Sequence, residues 1–127
     1  MNLTWAEPAA TPVKSMPTST EPTFTARIYL SGPIEVAKQL IRAHVMAEPL
    51  CVTVESTTFI YTGGEEAGYG VGLLNYPRFP KSPEHVLQRA LALAELLMTR
   101  TFQRSALVVT PTETHWIRTS ERDTSTS

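Results

Sequence analysis

The chain has 127 residues, 42% of them hydrophobic, with eleven Lys and Arg against twelve Asp and Glu. That is enough for one domain and its tails, with no net field to draw it to nucleic acid or an anionic membrane. The single cysteine, Cys51, excludes an internal disulfide, and no apolar run approaches the ~20 residues of a membrane helix.

Residues 1–22 carry Pro8, Pro12, Pro17 and Pro22 among Ala, Thr and Ser, without periodicity. This predicts a flexible arm, whose lone Trp5 is expected to be solvated or to touch its own domain, ahead of anchoring a partner. The arm lacks the charged and apolar regions of a signal peptide, so the reading places the protein in a reducing cytoplasm. Residues 23–118 form the expected domain, and residues 119–127 are a polar tail expected to be disordered.

FTARIYL, Phe24 to Leu30, alternates strictly and predicts a strand with one buried face. Ser31-Gly32 closes it. Pro33 suits the first position of a helix, and Glu35 its first turn, where the dipole favours an anion. Ile34, Ala37, Leu40, Ile41, His44 and Val45 share one face of that helix, which Pro49 ends. LCVTVESTTFIYT, Leu50 to Thr62, is β-branched and aromatic and reads as a long strand. GGEEAG, Gly63 to Gly68, reads as a turn, and Tyr69 to Tyr76 as the returning strand of a hairpin. Ser82 is a good N-cap, followed by Pro83 and Glu84. Val86, Leu87, Ala90, Leu91, Ala94, Leu97, Met98 and Phe102 then form an apolar stripe, with Gln88, Arg89, Glu95 and Gln103 pointing away. Ser105 to Val109 is a buried strand, and His115 to Arg118 an optional last one.

The order β-α-β-β-α-β predicts an α+β, ferredoxin-like fold: an antiparallel sheet with two helices on one face. The other face is left open and bears Arg27, Tyr29, parts of the hairpin and Trp116. Such a face suits a dimer interface, a partner site or a nucleic-acid platform.

The run RIYLSGPIE resembles the opening of nucleoside 2-deoxyribosyltransferases, and this likeness implies a nucleotide site using Tyr29, Gly32 and Pro33. The pattern then departs: those enzymes have a parallel sheet and further acidic groups downstream, whereas an antiparallel hairpin is predicted here. Gly for the turn and Pro for the helix start account for the same residues structurally.

The other candidates are weaker. Gly68, Gly70 and Gly72 alternate on one strand face, and the favoured role is close helix packing, ahead of room for a flat ligand. Glu65 and Glu66 read as a solvated turn, ahead of acid/base chemistry. His44, His85 and His115 are too dispersed for a metal motif, so no metal or cofactor is expected. Cys51 is expected to pack in the sheet. The loop NYPRFPKSP presents Tyr76, Arg78, Phe79 and Lys81 between prolines, either as a rigid display or with Phe79 plugging the core. Tyr29, Phe59, Tyr61 and Tyr69 could stack bases as in RNA-recognition domains, but no matching motif accompanies them and the near-zero net charge argues against nucleic acid as a partner.

The run CVTVESTTFIYTGGEEAGYGVGLLNYPRFP, with VVTPTETHWI, resembles small proteins of unknown function encoded by phages and prophages. That resemblance implies an accessory role on a mobile element and supplies no catalytic residue. The expectation is therefore a non-enzymatic protein-binding module, forming a homodimer through its sheet. Its predicted partner-binding residues are Tyr76, Arg78 and Phe79 in the loop and Tyr29 and Tyr61 on the sheet. The competing expectations are an enzyme or sensor for a nucleotide-like molecule at Gly32-Pro33, and a single-stranded nucleic-acid binder.

Overall fold

The computed structural model describes residues 16–119. The elements are β1 (Thr25–Ser31), α1 (Ile34–Ala47), β2 (Val52–Tyr61), β3 (Gly64–Leu74), α2 (Pro83–Thr101), β4 (Ser105–Val109) and β5 (Thr114–Arg118). The strands form one sheet in the order β2-β3-β1-β4-β5, and every neighbouring pair is antiparallel. The ferredoxin-like α+β arrangement is present, with β5 added beside β4. Trp5, most of the N-terminal arm and residues 120–127 lie outside the described residues.

Alternation builds the core. Ala26, Ile28 and Leu30 of β1 are buried with Tyr69, Val71 and Leu73 of β3 and Ala106 and Val108 of β4. The longer helix α2 covers them with Ala90, Leu93, Ala94 and Leu97, all fully buried, while α1 buries only Ala37 and Ile41. The amphipathic stripe of α2 therefore supplies most of the helical side of the core. No helix among the described residues is long and apolar enough to cross a membrane.

Several local expectations shift. Pro33 sits one residue earlier than predicted, as an extended N-cap of α1, because Gly32 at φ +120 turns the chain just before it. Ser82 does cap α2, its hydroxyl accepting from the His85 N–H at 3.1 Å. Phe102 is not in the stripe: it takes the left-handed C-cap at φ 57 and is 90% exposed. Arg89 does not point away. Its guanidinium donates to the Glu48 and Pro49 carbonyls and ties the end of α1 to α2. Cys51 is exposed just before β2 rather than packed in the sheet.

The hairpin turn is also tighter than predicted. Thr62-Gly63 alone makes it, with Gly63 at φ +93, and β3 begins at Gly64. Glu65 and Glu66 are thus strand residues, paired with Ile60 and Phe59.

Tyr69 has the largest fully buried side chain. Its hydroxyl has no hydrogen bond within ordinary distance. Burial pushes its pKa up to about 12, opposed weakly by neighbouring Thr101, whose own hydroxyl donates to the Leu97 carbonyl. An unfolded tyrosine ionises near pH 10. This contribution to stability is therefore complete below pH 10 and drains as pH rises toward 12, by ~1.4 kcal/mol per pH unit. Tyr69→Phe is expected to flatten that alkaline loss and to be near neutral at pH 8, because it removes an unpaired buried hydroxyl. Urea unfolding at pH 8, 10 and 11.5 checks this; parallel losses in both proteins would refute it.

Candidate functional site

The face of the sheet away from the helices carries the second set of alternating residues. Register places Thr53, Glu55, Thr57, Phe59 and Tyr61 of β2 there, beside Glu66, Gly68, Gly70 and Gly72 of β3. On the other side of β3 come Arg27, Tyr29 and Ser31 of β1, then Leu107 of β4 opposite Trp116 of β5. The glycine stripe therefore faces away from the helices, contrary to the packing role expected for it.

That stripe works as a floor. With no side chains on β3 at these three positions, residues of β1 and β2 reach over it from either side. Arg27 pairs with Glu55 across the strand between them. Tyr29 and Phe59 meet edge to face with ring centroids 6.2 Å apart, and Arg27 lies 5.8 Å from the Tyr29 ring centre. A Cβ on Gly68 would stand 2.3 Å from the Leu30 carbonyl oxygen and 2.4 Å from the Phe59 ring.

Where the floor ends, a depression of about 230 Å³ opens, lined by Tyr29, Ser31, Phe59, Tyr61, Glu66 and Leu107 among others. Glu66 is its one acidic lining residue. Three aromatic rings, one carboxylate and two serine positions (Ser31 and Ser105) thus converge on one spot. Rings of this kind take a flat heterocycle on their faces, and both rings and carboxylate favour a cation. Tyr61, in the lining, is 53% exposed, and Trp116, on the same face at β5, is 60% exposed.

The predicted site residues separate into two groups. Tyr29 and Tyr61 meet in the depression. Tyr76, Arg78 and Phe79 lie beyond the far end of β3, in a loop whose aromatic rings stand 6.2 Å apart and are exposed. Phe79 does not plug the core. Gly32 and Pro33 follow Ser31 at the end of β1 and shape the turn; Gly32 donates its N–H to the Ala67 carbonyl at 3.1 Å. Of the four proposed base-stacking aromatics, Tyr69 is buried on the helix side, and the other three share the open face. The histidines lie on α1, at the start of α2 and on β5, and among the described residues no three His, Cys, Asp or Glu side chains gather in a way that could hold a metal.

Sequence reasoning grouped Phe59 with Tyr29 and Tyr61 only as base-stacking aromatics and missed Glu66 as a member of their site. The signal was present: Glu66, Gly68, Gly70 and Gly72 continue one period-2 series. Assigning the first two residues of that series to a turn hid it.

No family model and no curated protein sequence matches the chain. Two solved structures share its fold. One is a phage SAM lyase in complex with S-methyl-5'-thioadenosine, with a TM-score of 0.67 and 18% identity, covering 84% of this chain and 97% of that one. The other is a phage SAM lyase in the apo state, with a TM-score of 0.58 and 19% identity, covering 87% and 98%. The likeness overturns the expectation of a non-enzymatic protein-binding module. Both neighbours, matched over almost their whole length, are SAM lyases, and one holds S-methyl-5'-thioadenosine. An open aromatic sheet face is therefore no mark of a protein binder.

Proposed function

We propose that the chain is a lyase acting on SAM or a close sulfonium analogue at the sheet-face depression. The observation that carries this is the convergence of Tyr29, Phe59, Tyr61 and Glu66 on one depression, in a fold shared with phage SAM lyase. The competing expectation of a nucleotide-like substrate survives in substance, with the ligand moved from the Gly32-Pro33 turn to the adjoining face. Neighbours from phage also agree with the resemblance to phage and prophage proteins and support a phage-encoded setting.

The substrate's chemistry fits the lining. SAM offers a flat adenine, a sulfonium and an amino-acid end bearing an ammonium. The rings of Tyr29, Phe59 and Tyr61 suit the first two, with stacking worth ~1–3 kcal/mol per base. Glu66 suits the ammonium. Cleavage breaks the bond between sulfur and the aminobutyrate carbon, and the electron pair stays on sulfur as neutral S-methyl-5'-thioadenosine. No second substrate enters a lyase reaction. The four-carbon fragment therefore supplies its own electrons, by closing through its carboxylate or by losing a β-proton. Either way a positive charge on sulfur disappears, and apolar surroundings favour that loss. Incubating the purified protein with SAM and separating the products by chromatography tests the reading. Release of S-methyl-5'-thioadenosine supports it; SAM left intact by stoichiometric protein sinks it.

We also propose that a second copy covers the depression. Sites for molecules of this size usually enclose roughly 300–1,000 Å³, more than the 230 Å³ found on one chain. The exposed Tyr61 and Trp116 supply apolar surface for pairing about a two-fold axis. Light scattering at micromolar concentration is expected to report twice the chain mass of 14.0 kDa. Tyr61→Glu should shift that mass toward one chain and reduce SAM cleavage together. A wild-type monomer with full activity would exclude the covering copy.

A further inference from the structure

We propose that a second cavity, at the opposite end of the β2–β3 ladder, binds a small organic anion with an apolar body. It holds about 360 Å³ and lies between the 75–81 loop and the start of α2. Leu50, Leu74, Tyr76 and Phe79 line one part of it, and Lys81 and His85 another. None of its lining residues is acidic. Glu66 and Leu74 are eight positions apart on β3, so the two sites are separated by about 27 Å.

The walls are held in place before any ligand arrives. The Asn75 side chain donates to the Pro22 carbonyl at 2.9 Å and accepts from the Lys81 N–H at 2.8 Å, closing both ends of the loop. Inside it the Phe79 N–H donates to the Tyr76 carbonyl at 2.9 Å, and Pro77 and Pro80 stiffen the rest. The Tyr76 and Phe79 rings are tilted by 50°, and Arg78 stands 5.3 Å from the Phe79 ring centre. Exposed aromatics fixed this way lose little freedom on binding.

The charge is positive. Lys81 has no ion-pair partner among the described residues. The Ser82-capped start of α2 adds the positive end of a 19-residue helix. Arg89 also lines the cavity, but its charge is shared with Glu48, 3.8 Å away. Lys81 is therefore the cation left for a ligand, against an aromatic and aliphatic wall. A carboxylate or sulfonate on a ring system matches both surfaces. Cys51, exposed and also lining the cavity, provides a reporter as the chain's one cysteine.

The probe is 1-anilinonaphthalene-8-sulfonate, titrated into the full-length protein by fluorescence. One saturable site is expected, with binding weakened at least tenfold by Lys81→Glu and by Phe79→Ser while circular dichroism is unchanged. Saturating probe should slow alkylation of Cys51 by iodoacetamide severalfold. Tyr61→Glu should leave probe binding intact, and S-methyl-5'-thioadenosine should not displace the probe. Binding unaffected by Lys81→Glu, or no protection of Cys51 at saturation, overturns the site. Displacement by S-methyl-5'-thioadenosine overturns its separateness. These outcomes are independent of whether the protein cleaves SAM.

Discussion

Replacing Glu66 by Gln is expected to lower kcat/KM for SAM cleavage by about 10²-fold while leaving the fold and melting temperature unchanged. Glu66 is the one acidic residue lining the depression and, being exposed on β3, holds nothing else in place. A hydrogen bond to a charged group is worth ~1.5–3 kcal/mol, and each 1.4 kcal/mol is tenfold. If Glu66 holds the substrate's ammonium, the loss falls mainly in KM, and the pH profile keeps its shape. Glu65→Gln is the matched control. Glu65 is the adjacent carboxylate on the same strand but, by alternation, on the other face. Steady-state kinetics on both variants decides. Equal activities would remove Glu66 from the site, and equal losses would show that only net charge matters.

Gly68→Ala is expected to be the most damaging single-methyl change on the open face. The new Cβ would meet the Leu30 carbonyl oxygen at 2.3 Å and the Phe59 ring at 2.4 Å. The ring can swing away, but the carbonyl belongs to β1 and is held in the ladder. Overpacking of this kind costs ~1–3 kcal/mol. Phe59 must also leave its edge-to-face contact with Tyr29, so activity should fall even where the variant stays folded. Gly70→Ala is the comparison, since its nearest neighbour would be at 3.4 Å, an ordinary contact. Thermal melts and SAM turnover for the pair should therefore diverge. A Gly68→Ala protein as stable and active as Gly70→Ala would refute the floor.

The fold was largely legible because period and punctuation agreed. Strict alternation from Phe24 to Leu30, the Ser82-Pro83-Glu84 start and the stripe from Val86 to Met98 each had one physical reading. The errors fell where local chemistry had two. Gly63, Gly64, Glu65 and Glu66 look like a loop by composition, yet a two-residue turn suffices and the antiparallel ladder claims the rest. Arg89 is polar and was placed outward, but the bare carbonyls at the end of α1 needed a donor. The depression itself needed the pairing of β1 with β3 and of β3 with β2. Phe59 and Glu66 face each other across one hairpin, but Tyr29 is dozens of residues from both, and only the register brings it beside them. Function was misjudged for a related reason: an aromatic sheet face was equated with macromolecular docking, though a small heterocycle uses the same forces.

The order β2-β3-β1-β4-β5 leaves the sheet with two unlike borders. β5 spans five residues, Thr114 to Arg118, whereas β2 spans ten, without proline and with Glu55 as its only charge. A border of that length, with one row of amides and carbonyls free, is a template for another strand. If β2 meets β2 of another molecule the contact is self-complementary and ends at two, whereas β2 meeting β5 is head-to-tail and runs on as a filament unless the rotation closes a ring. The long hairpin that supplies the depression's aromatic wall thus also presents the sheet's longer free border, charged along its length by a single carboxylate already committed to Arg27.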